Sequence, residues 1–342
     1  MEKIDKFGTV WMALTYNCNN RCRWCYAASN ISKYRNRELD PTKENDIIRL
    51  LKDLNALDIK LVGGEPTVYR NFIKFIKKLS DYNFRITLVT NGRKFADFNF
   101  AKRVRDAGLS HISFSIEGYN EDSHDRETCV NGSFRELMQG IENARKLGFS
   151  IVSNTTITKD NANDLEKIVD LVFDKVKIIS FNICEPWLRE NINMYSVLSP
   201  KEGAELFKRV YRYGKLKNLD LKLTTPTPVC NFDEEMIKEG AVGGICSILA
   251  GQNFVVDYNG DILPCTLFSD FPFFNIFKNG RCMTAEEFLK EYNEGSGHKL
   301  REKLKHFPSS KCNNGCEEFC TGGCPLFWLR YDPEKEIKGV LK

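Results

Sequence analysis

The stretch VWMALTYNCNNRCRWCY, residues 10–26, decides the fold of the first half of the chain. Its apolar run from Val10 to Leu14 is typical of a short buried strand, and polar residues follow it at once. Three cysteines come next, at Cys18, Cys22 and Cys25. Three thiolates can each bind one iron of a [4Fe–4S] cube, which leaves the fourth iron open for another ligand. A zinc site is the alternative, but closed zinc sites take four ligands, and the sequence has no fourth Cys or His nearby.

The bulk composition indicates a globular chain of about two domains. It has 342 residues, 42% hydrophobic and 28% charged, and an excess of four positive charges spread along the chain. This excess is too small and too scattered to favour nucleic acid as a partner. The amino terminus lacks the apolar core of a signal peptide, and no segment has the apolar length of a membrane span. We therefore expect a cytoplasmic protein without a membrane partner.

Cysteine is unusually frequent for such a protein, with thirteen residues. Cytosolic thiols are kept reduced, so disulfides are a poor explanation for them. Many of the cysteines are also grouped, since four more follow one another at Cys312, Cys316, Cys320 and Cys324. Metal binding is therefore the leading interpretation.

Apolar β-type runs alternate with amphipathic runs through the first half of the chain. The predicted strands cover residues 10–15, 59–62, 85–90, 111–116, 151–156 and 176–182. The predicted helices between them cover residues 42–54, 71–80, 96–107, 133–147 and 160–173. Six βα units in series predict an α/β fold in which helices cover a parallel sheet.

The pattern changes after about residue 195. One more helix is predicted over residues 200–217, followed by an irregular stretch over 221–244 that is rich in Pro, Gly and Thr. The sequence NFVVDYNGDILP, residues 253–264, has two β-type arms around Asn259-Gly260, the pair favoured in a tight type I′ turn. A small β-hairpin region with many cysteines is typical of a metal-stabilised domain.

The CxxxCxxC spacing after a first strand, with an aromatic residue before the last Cys, resembles the radical S-adenosylmethionine (SAM) superfamily. The resemblance covers about residues 8–190 and implies a partial (β/α)6 TIM-like barrel. It also implies that SAM chelates the open iron of the Cys18, Cys22 and Cys25 cluster, with Trp24 near the adenine. In that family one electron from the cluster cleaves SAM, and the resulting 5′-deoxyadenosyl radical abstracts a hydrogen atom from the substrate.

Further motifs follow in the order of that family. Gly63-Gly64-Glu65-Pro66 resembles the GGEP turn, whose backbone and carboxylate receive the SAM ammonium group. Ser113, Ser115 and Glu117 resemble the ribose motif, in which many relatives carry Asp where this chain has Glu117. Asn154 matches a polar cofactor-facing position, and a purely structural Asn is the equal alternative. We expect Glu65 and Glu117 to lie on loops at the open face and to affect SAM affinity rather than folding.

The run from His124 to Phe134 resembles the segment that follows the ribose motif in peptide-modifying members. By that resemblance Arg126 or Arg135 could contact the SAM carboxylate. A solvated charge on a helix is the alternative for each of them.

Cys246, Gly260 and Cys265 have the spacing CxnGx4C, with four residues between Gly260 and Cys265. This spacing resembles the opening of the SPASM and twitch auxiliary-cluster domains. The resemblance implies one or two auxiliary [4Fe–4S] clusters. It divides the chain into a radical SAM barrel over 1–195, a connecting helix and linker over 196–245, and an auxiliary-cluster domain over 246–342.

The late cysteines depart from the spacing familiar in those domains, and no cysteine follows Cys324. We predict one auxiliary cluster on Cys246, Cys265 and Cys324, with Cys230 as the candidate fourth ligand. A second cluster is then one thiol short. Its predicted ligands are Cys312, Cys316 and Cys320. A structural zinc on the four late cysteines is the alternative.

The first functional hypothesis is an enzyme that crosslinks, epimerises or oxidises a ribosomally made peptide or protein, as SPASM-type relatives mostly do. Only about ten residues precede the first strand, so a separate leader-peptide recognition protein, or a substrate without a leader, is expected. A dehydrogenase or rearranging enzyme for a small molecule such as an amino sugar is the alternative. A non-catalytic iron–sulfur protein would not need the GGEP and ribose motifs. The resemblance also implies a flavodoxin- or ferredoxin-type electron donor.

Cys184 follows the sixth predicted strand and is therefore expected at the mouth of the barrel. A thiol there could return a hydrogen atom to a substrate radical, as an epimerase requires. The alternative is that Cys184 packs as a small buried hydrophobe. Cys129 has a similar but weaker claim.

Overall fold

The computed structural model describes residues 4–27, 33, 36–186, 196–251, 253–304, 308–309, 312, 316 and 318–338. The strands are β1 (Thr9–Ala13), β2 (Asp58–Val62), β3 (Arg85–Thr90), β4 (His111–Ser115), β5 (Ser150–Ile157), β6 (Ile178–Ile183), β7 (Leu221–Leu223), β8 (Phe254–Val256), β9 (Asp261–Leu263), β10 (Phe274–Asn275), β11 (Phe277–Lys278) and β12 (Arg281–Cys282). The helices are α1 (Glu44–Asp53), α2 (Phe72–Asp81), α3 (Phe98–Asp106), α4 (Glu121–Thr128), α5 (Ser133–Lys146), α6 (Leu165–Val172), α7 (Pro200–Lys215), α8 (Glu234–Lys238), α9 (Ser247–Ala250), α10 (Ala285–Glu294), α11 (Ser296–Leu304) and α12 (Pro333–Glu336). None of the helices within these ranges is long and apolar enough to cross a membrane.

One large sheet holds the strands in the order β10-β9-β8-β1-β2-β3-β4-β5-β6-β7. Strands β1 to β7 are parallel neighbours, and β8 joins the free side of β1 in the same direction. Strands β9 and β10 extend this edge with antiparallel pairing. The predicted α/β architecture, a parallel sheet of the partial TIM-barrel type, is confirmed. All six predicted strands are present, with ends that differ by two residues or fewer.

Strand residues alternate between a helix-covered face and an inner face. One row of the covered face crosses β1 to β5 in register and is at most 3% exposed. This row consists of Met12, Leu61, Leu88, Ile112 and Ile151. Parallel sheets bury the face that crossover helices cover, which explains why these positions are all apolar. The alternate positions face the inside of the open barrel and are partly exposed.

Two features of the sheet differ from the sequence-based expectation. Strand β7 adds a seventh parallel strand inside the stretch predicted to be irregular; it is three residues long, too short for an alternating pattern to identify. The hairpin of the cysteine-rich region also joins the barrel sheet, because Val10 and Met12 of β1 lie opposite Phe254 and Val256 of β8. The predicted domain end at residue 195 lies outside the described residues.

The predicted hairpin around Asn259-Gly260 is present, but its turn is not type I′. A type I′ turn needs a positive φ at both central residues, and only Gly260 has one, with φ 91°. The Gly260 N–H donates to the Asp257 carbonyl at 2.9 Å, and the Asp257 N–H donates to the Asp261 carbonyl at 2.8 Å. This is the three-residue loop in which a left-handed glycine closes a type I turn with a bulge.

Candidate functional site

The three-cysteine loop begins directly beyond β1 and lies on the end of α4. The N–H groups of Arg21 and Arg23 donate to the carbonyls of Thr128 at 2.9 Å and Glu127 at 3.1 Å. Main-chain atoms therefore hold the loop in place.

The three thiols of this loop are partly buried and interact electrostatically with one another. Burial, followed by the nearby Glu65 carboxyl, raises the pKa of Cys18 to about 12. Burial, followed by Cys25, raises the pKa of Cys22 well above its ordinary value. The Asn20 N–H also donates to the Cys18 sulfur at 3.3 Å. Such thiols keep their protons until a metal displaces them, so the loop fits a cluster held by three thiolates.

Trp24 lies inside this loop, between the second and third cysteines. Its indole N–H is buried and finds no hydrogen-bond partner among the described residues. A buried donor without a partner is costly. The predicted position beside the SAM adenine would therefore supply an acceptor that the described residues lack.

The two glycines of the GGEP turn are required by close packing against the strand that leads to the cysteine loop. A Cβ at Gly63 would overlap the Thr15 carbonyl oxygen, and one at Gly64 would overlap the Asn17 carbonyl oxygen. Gly63 also has a φ of 135°, which residues with a Cβ rarely adopt. The Gly64 N–H donates to the Thr15 carbonyl at 2.8 Å, so the turn and the loop form one backbone unit.

Glu65 lies at this turn, but it does not occupy the open loop position that the sequence predicted. Its side chain is 1% exposed. One oxygen accepts hydrogen bonds from the Thr67 N–H at 3.1 Å, the Thr67 hydroxyl at 2.6 Å and the Thr90 hydroxyl at 2.7 Å. The other accepts from the Asn91 N–H at 2.8 Å. We expected Glu65 to affect SAM affinity and not folding. The part about folding is wrong, because the carboxylate joins β2, β3 and the turn.

Glu117 at the end of β4 is also buried, with 1% exposure, but its hydrogen bonding is incomplete. One carboxyl oxygen accepts from the Thr156 N–H on β5 at 3.0 Å. The other oxygen is buried and has no partner among the described residues. Burial, and then the like charge of Glu127, raises the pKa of Glu117 to about 8 against the lowering effect of the Thr156 N–H. An open acceptor at this place fits the predicted contact with a ribose hydroxyl.

The remaining predicted cofactor contacts lie on the inner face of neighbouring strands. Ser113 and Ser115 occupy alternate, partly exposed positions of β4, and Ser115 lies opposite Asn154 of β5. The Asn154 side-chain oxygen accepts a hydrogen bond from the Asn182 amide of β6 at 2.9 Å. The structure thus brings the three predicted residues to one polar wall, where Asn154 also has an internal partner.

Cys184 is placed just beyond β6 and is 3% exposed, as the alternative of a packed thiol predicts. Its N–H continues the sheet by donating to the Ile157 carbonyl at 2.9 Å. Burial raises the pKa of its thiol, and the carboxyls of Glu185, Glu117 and Glu127 act in the same direction. Cys184 therefore lies beside the acidic end of the barrel without being open to it.

Glu127 is a residue of this end that the sequence pattern did not identify. Its side chain is fully buried, and its nearest cation is Arg126, whose Nε lies 3.7 Å from one carboxyl oxygen, too far for an ordinary hydrogen bond. It lies on α4, a helix that the apolar periodicity did not predict. The signal that was available is the capping box of Asn120 and Ser123, which marks the start of that helix.

The run from His124 to Phe134 joins α4 to α5. The Asp125 carboxylate accepts from the Ser133 hydroxyl at 2.7 Å and the Phe134 N–H at 2.8 Å, which fixes the start of α5. The Arg135 side chain is 74% exposed and pairs with Glu121 at 3.0 Å. This exposed ion pair agrees with the alternative interpretation of Arg135, a solvated charge on a helix, rather than with a contact to SAM. Cys129 is exposed, in a left-handed conformation at the end of α4.

The C-terminal cysteines form two groups, the first of which contains Cys246, Cys265 and Cys324. These three thiols interact electrostatically with one another. The Cys324 N–H donates to the Pro226 carbonyl beyond β7 at 2.8 Å, and the Cys246 N–H donates to the Thr321 hydroxyl at 3.0 Å. The fold therefore assembles this predicted ligand set from three separate segments of the chain.

The second group contains Cys230 in addition to the three predicted thiols. Cys312 interacts electrostatically with Cys320, Cys230 and Cys316, and Cys320 interacts with Cys230. Cys230 was the candidate fourth ligand of the first group, but its electrostatic neighbours are Cys312 and Cys320 of the second group, so its assignment to either cluster stays a prediction. The short helical turn from Val229 to Asn231 precedes α8 and presents Cys230 to the late cysteines. No three His, Cys, Asp or Glu side chains in the described ranges lie close enough to hold a single metal ion.

A family model described as the radical SAM superfamily matches residues 12–172. A probable GTP 3',8-cyclase from Thermococcus kodakarensis is 30% identical over 224 residues, which are 64% of this chain and 67% of that protein. An AdoMet-dependent heme synthase from Oleidesulfovibrio alaskensis is 26% identical over 271 residues, 74% of this chain and 68% of the relative. A GTP 3',8-cyclase from Helicobacter pylori is matched over 66% of its length, so the chain spans about two thirds of these relatives.

Solved structures share the fold over nearly the whole chain. Native anSMEcpe with bound AdoMet and Cp18Cys peptide has a TM-score of 0.71 at 18% identity, covering 97% of this chain and 96% of that chain. Streptococcus suis SuiB bound to precursor peptide SuiA has a TM-score of 0.67 at 17% identity, covering 97% of this chain and 75% of that chain. The family match starts in β1 and ends in α6, and so it spans the cysteine loop, the glycine turn and Glu117. The chain belongs to the radical SAM superfamily.

Proposed function

We propose that this chain is a radical SAM enzyme that modifies a peptide or protein substrate by crosslinking, epimerisation or oxidation of a residue. The observation that carries the proposal is the likeness of fold over 97% of the chain, cysteine-rich region included, to anSMEcpe solved with AdoMet and a peptide. Fold alone transfers function weakly, so the proposal also depends on the chemistry of the site.

Cys18, Cys22 and Cys25 would hold the [4Fe–4S] cluster, and the open iron would bind SAM. When bound, the cluster and SAM supply a 5′-deoxyadenosyl radical after one-electron cleavage. The chain's own residues orient the cofactor: the Trp24 indole N–H offers a buried donor, and the free oxygen of Glu117 offers a buried acceptor. Gly63 and Gly64 let the backbone of the glycine turn pack closely against the backbone that leads into the cysteine loop.

The charge of the barrel mouth favours a substrate that carries positive or hydrogen-bond-donating groups. Glu117, Glu127 and Asp160 all lie within electrostatic reach of Cys184. Arg23 and Arg126 lower the pKa of Glu127, but burial raises it more. A cation such as the amine of a lysine side chain would stabilise the ionised carboxylates, whereas a phosphate group would oppose their ionisation. The peptide proposal agrees with this charge distribution.

A second candidate is a radical SAM dehydrogenase or rearranging enzyme for a small molecule such as an amino sugar. The observation in its favour is that matching relatives are named for GTP and heme, which are small molecules. An amino sugar carries the positive charge that the acidic mouth favours.

The two C-terminal thiol groups would hold two auxiliary [4Fe–4S] clusters, which could receive the electron that oxidative chemistry releases. A flavodoxin- or ferredoxin-type protein would supply the electron that cleaves SAM. A separate leader-peptide recognition protein, or a substrate without a leader, completes the proposed partners. Zinc at the four late cysteines stays the alternative for metal content.

The test uses anaerobically reconstituted protein with SAM and a reductant. 5′-Deoxyadenosine is quantified with cationic peptides, neutral peptides, amino sugars or GTP, and each mixture is searched by mass spectrometry for a modified product. We expect a cationic peptide to stimulate 5′-deoxyadenosine formation and to change in mass by loss of hydrogen, or to incorporate solvent deuterium at a residue. Stimulation and product formation with GTP or an amino sugar, but with no peptide, would contradict the proposal.

A further inference from the structure

The first C-terminal thiol group is one ligand short of a [4Fe–4S] cube, because it contains three cysteines and the cube has four irons. The second group contains four cysteines once Cys230 is included. All thirteen cysteines of the chain lie in described residues, and three others belong to the cysteine loop. If the chain itself supplies the fourth ligand of the first group, that ligand comes from one of three remaining thiols or from another type of side chain.

The three remaining cysteines lie elsewhere in the fold. Cys129 is exposed at the end of α4. Cys282 is on β12, where its thiol lies 4.0 Å from the Asp46 carbonyl of α1. Cys184 is packed beside the carboxyls at the end of the barrel, and it is absent from the electrostatic neighbours of the first group. The missing ligand is thus not a thiol of this chain.

Glu185 lies at the place where the fourth ligand is missing. It follows β6. The segment after β7 is held against the end of β6, because the Thr225 hydroxyl accepts a hydrogen bond from the Ile183 N–H at 2.9 Å. The residue after Thr225, Pro226, accepts the hydrogen bond from the Cys324 N–H. This chain of contacts brings the end of β6 and Cys324 together.

Side-chain contacts complete this juxtaposition. The Cys324 thiol donates a hydrogen bond to the Glu185 carboxylate. Cys246 and Cys265 both lie within electrostatic range of the same carboxylate. All three thiols of the first group therefore lie near the Glu185 carboxylate. A carboxylate is a known type of iron ligand in proteins.

We propose that the Glu185 carboxylate binds the fourth iron of the auxiliary cluster held by Cys246, Cys265 and Cys324. The inference rests on the proposed function, which places an auxiliary cluster at these thiols. On binding, each thiol loses its proton and the carboxylate replaces its hydrogen bond to Cys324 with a bond to iron.

The experiment uses the full-length Cys18, Cys22 and Cys25 to Ala variant as parent, so that all remaining iron is auxiliary. Glu185→Gln and Glu185→Cys are introduced into this parent, together with Glu142→Gln, an exposed carboxylate of α5, as control. Gln keeps the length of the side chain and still accepts the hydrogen bond from Cys324. A purely structural Glu185 would therefore tolerate this change.

We expect Glu185→Gln to lose about one iron per chain and to show the electron paramagnetic resonance signal of an oxidised three-iron cluster. Glu185→Cys should keep the iron content of the parent and shift the reduction potential of one cluster, because thiolate replaces carboxylate. The control should match the parent in both measurements. Equal iron content and equal spectra in the parent and Glu185→Gln would overturn the inference.

Two further outcomes separate this inference from the proposed function. If the parent itself holds zinc, or no auxiliary iron, the auxiliary clusters of the proposed function fail and the inference fails with them. If Glu185→Gln does not fold, as judged by circular dichroism, Glu185→Cys decides. In that case, the inference is overturned if Glu185→Cys has the same iron content, reduction potential and electron paramagnetic resonance spectrum as the parent.

Discussion

The cysteine loop and the C-terminal thiol groups both bring several thiols together, but they do so in opposite ways. In the loop, Cys18, Cys22 and Cys25 are close in sequence, and backbone bonds to α4 and to the glycine turn fix their positions. In the first C-terminal group, Cys246, Cys265 and Cys324 come from three separate segments. The loop geometry is therefore built into the barrel, whereas the C-terminal geometry depends on correct assembly of distant segments.

This difference has consequences for iron and for stability. A set of ligands from one loop can lose its metal while the surrounding sheet stays in place, because its backbone hydrogen bonds are internal to the fold. A set from distant segments gains more from metal binding, since a metal that closes long loops restricts the unfolded chain more strongly. Changes in one site should leave the other site intact.

The strongest way to break the comparison is to remove the loop thiols together. Replacing Cys18, Cys22 and Cys25 by Ala should abolish 5′-deoxyadenosine formation, because the CxxxCxxC spacing occurs nowhere else in the sequence. Auxiliary iron should remain, since its ligands lie on other segments. SAM cleavage is measured by chromatography after reduction with dithionite, and iron by colorimetric assay. Persistent SAM cleavage would show that the cofactor site lies elsewhere.

Removal of Cys230 tests how the C-terminal thiols are divided between the first and the second group. Cys230→Ala should destabilise the cluster of the second group and lower the iron content by up to about four per chain, while the first group keeps its iron. Cys282→Ala, which removes a thiol from neither group, serves as the matched control. The iron of the Cys230→Ala protein is compared with that of Cys324→Ala and of the double variant. Additive losses are expected, and equal iron in the double and single variants would place both cysteines in one group.

Sequence patterns predicted the two regions with unequal success for the same physical reason. The six barrel strands and the cysteine loop depend on local periodicity and short spacing, which the sequence displays directly. The partner of Cys230 and the place of Glu185 depend on which segments the fold brings together, and spacing contains no such information. β7 and α4 were missed because one is three residues long and the other is mostly polar.

Burial was the second quantity that the sequence did not reveal. Glu65 follows β2 and Glu117 follows β4 in the same parallel sheet, and both looked alike as loop carboxylates. The structure separates them, because Glu65 accepts four hydrogen bonds whereas one oxygen of Glu117 has no partner in the described part of the chain. The hydrogen bonds of a carboxylate depend on neighbouring strands, which a linear motif does not specify.

Glu65→Gln sharpens the comparison by testing whether the loop region is fixed without metal. The amide would place an N–H₂ group against donors such as the Asn91 N–H, so one buried hydrogen bond is lost. We expect the free energy of unfolding of the iron-free protein to fall by about 1–3 kcal/mol. Glu121→Gln, an exposed pair with Arg135, should change it by less than about 1 kcal/mol. Unchanged stability of Glu65→Gln in denaturant titrations would mean that the turn does not depend on this carboxylate.

The last effect is expected from Glu117→Gln, and it appears as a dependence of stability on pH. Burial raises the pKa of Glu117 to about 8, above the value of about 4.3 expected for an unfolded chain. Between these values the folded protein binds more protons than the unfolded one, so the contribution of Glu117 to stability falls as pH rises from about 4.3 to about 8. Gln does not titrate, and the other carboxyls whose pKa burial raises, such as Glu185, remain in both proteins.

The melting temperature of wild type minus that of Glu117→Gln should therefore decrease steadily between about pH 5 and pH 8 in the iron-free protein. SAM added to the anaerobically reconstituted protein should reduce this slope, because a ribose hydroxyl would donate to the free oxygen and favour the ionised form. A slope that is present without SAM and unchanged by SAM would place the ribose away from Glu117. A difference that does not vary with pH would mean that the carboxyl is solvated, and the contrast between Glu65 and Glu117 would then disappear.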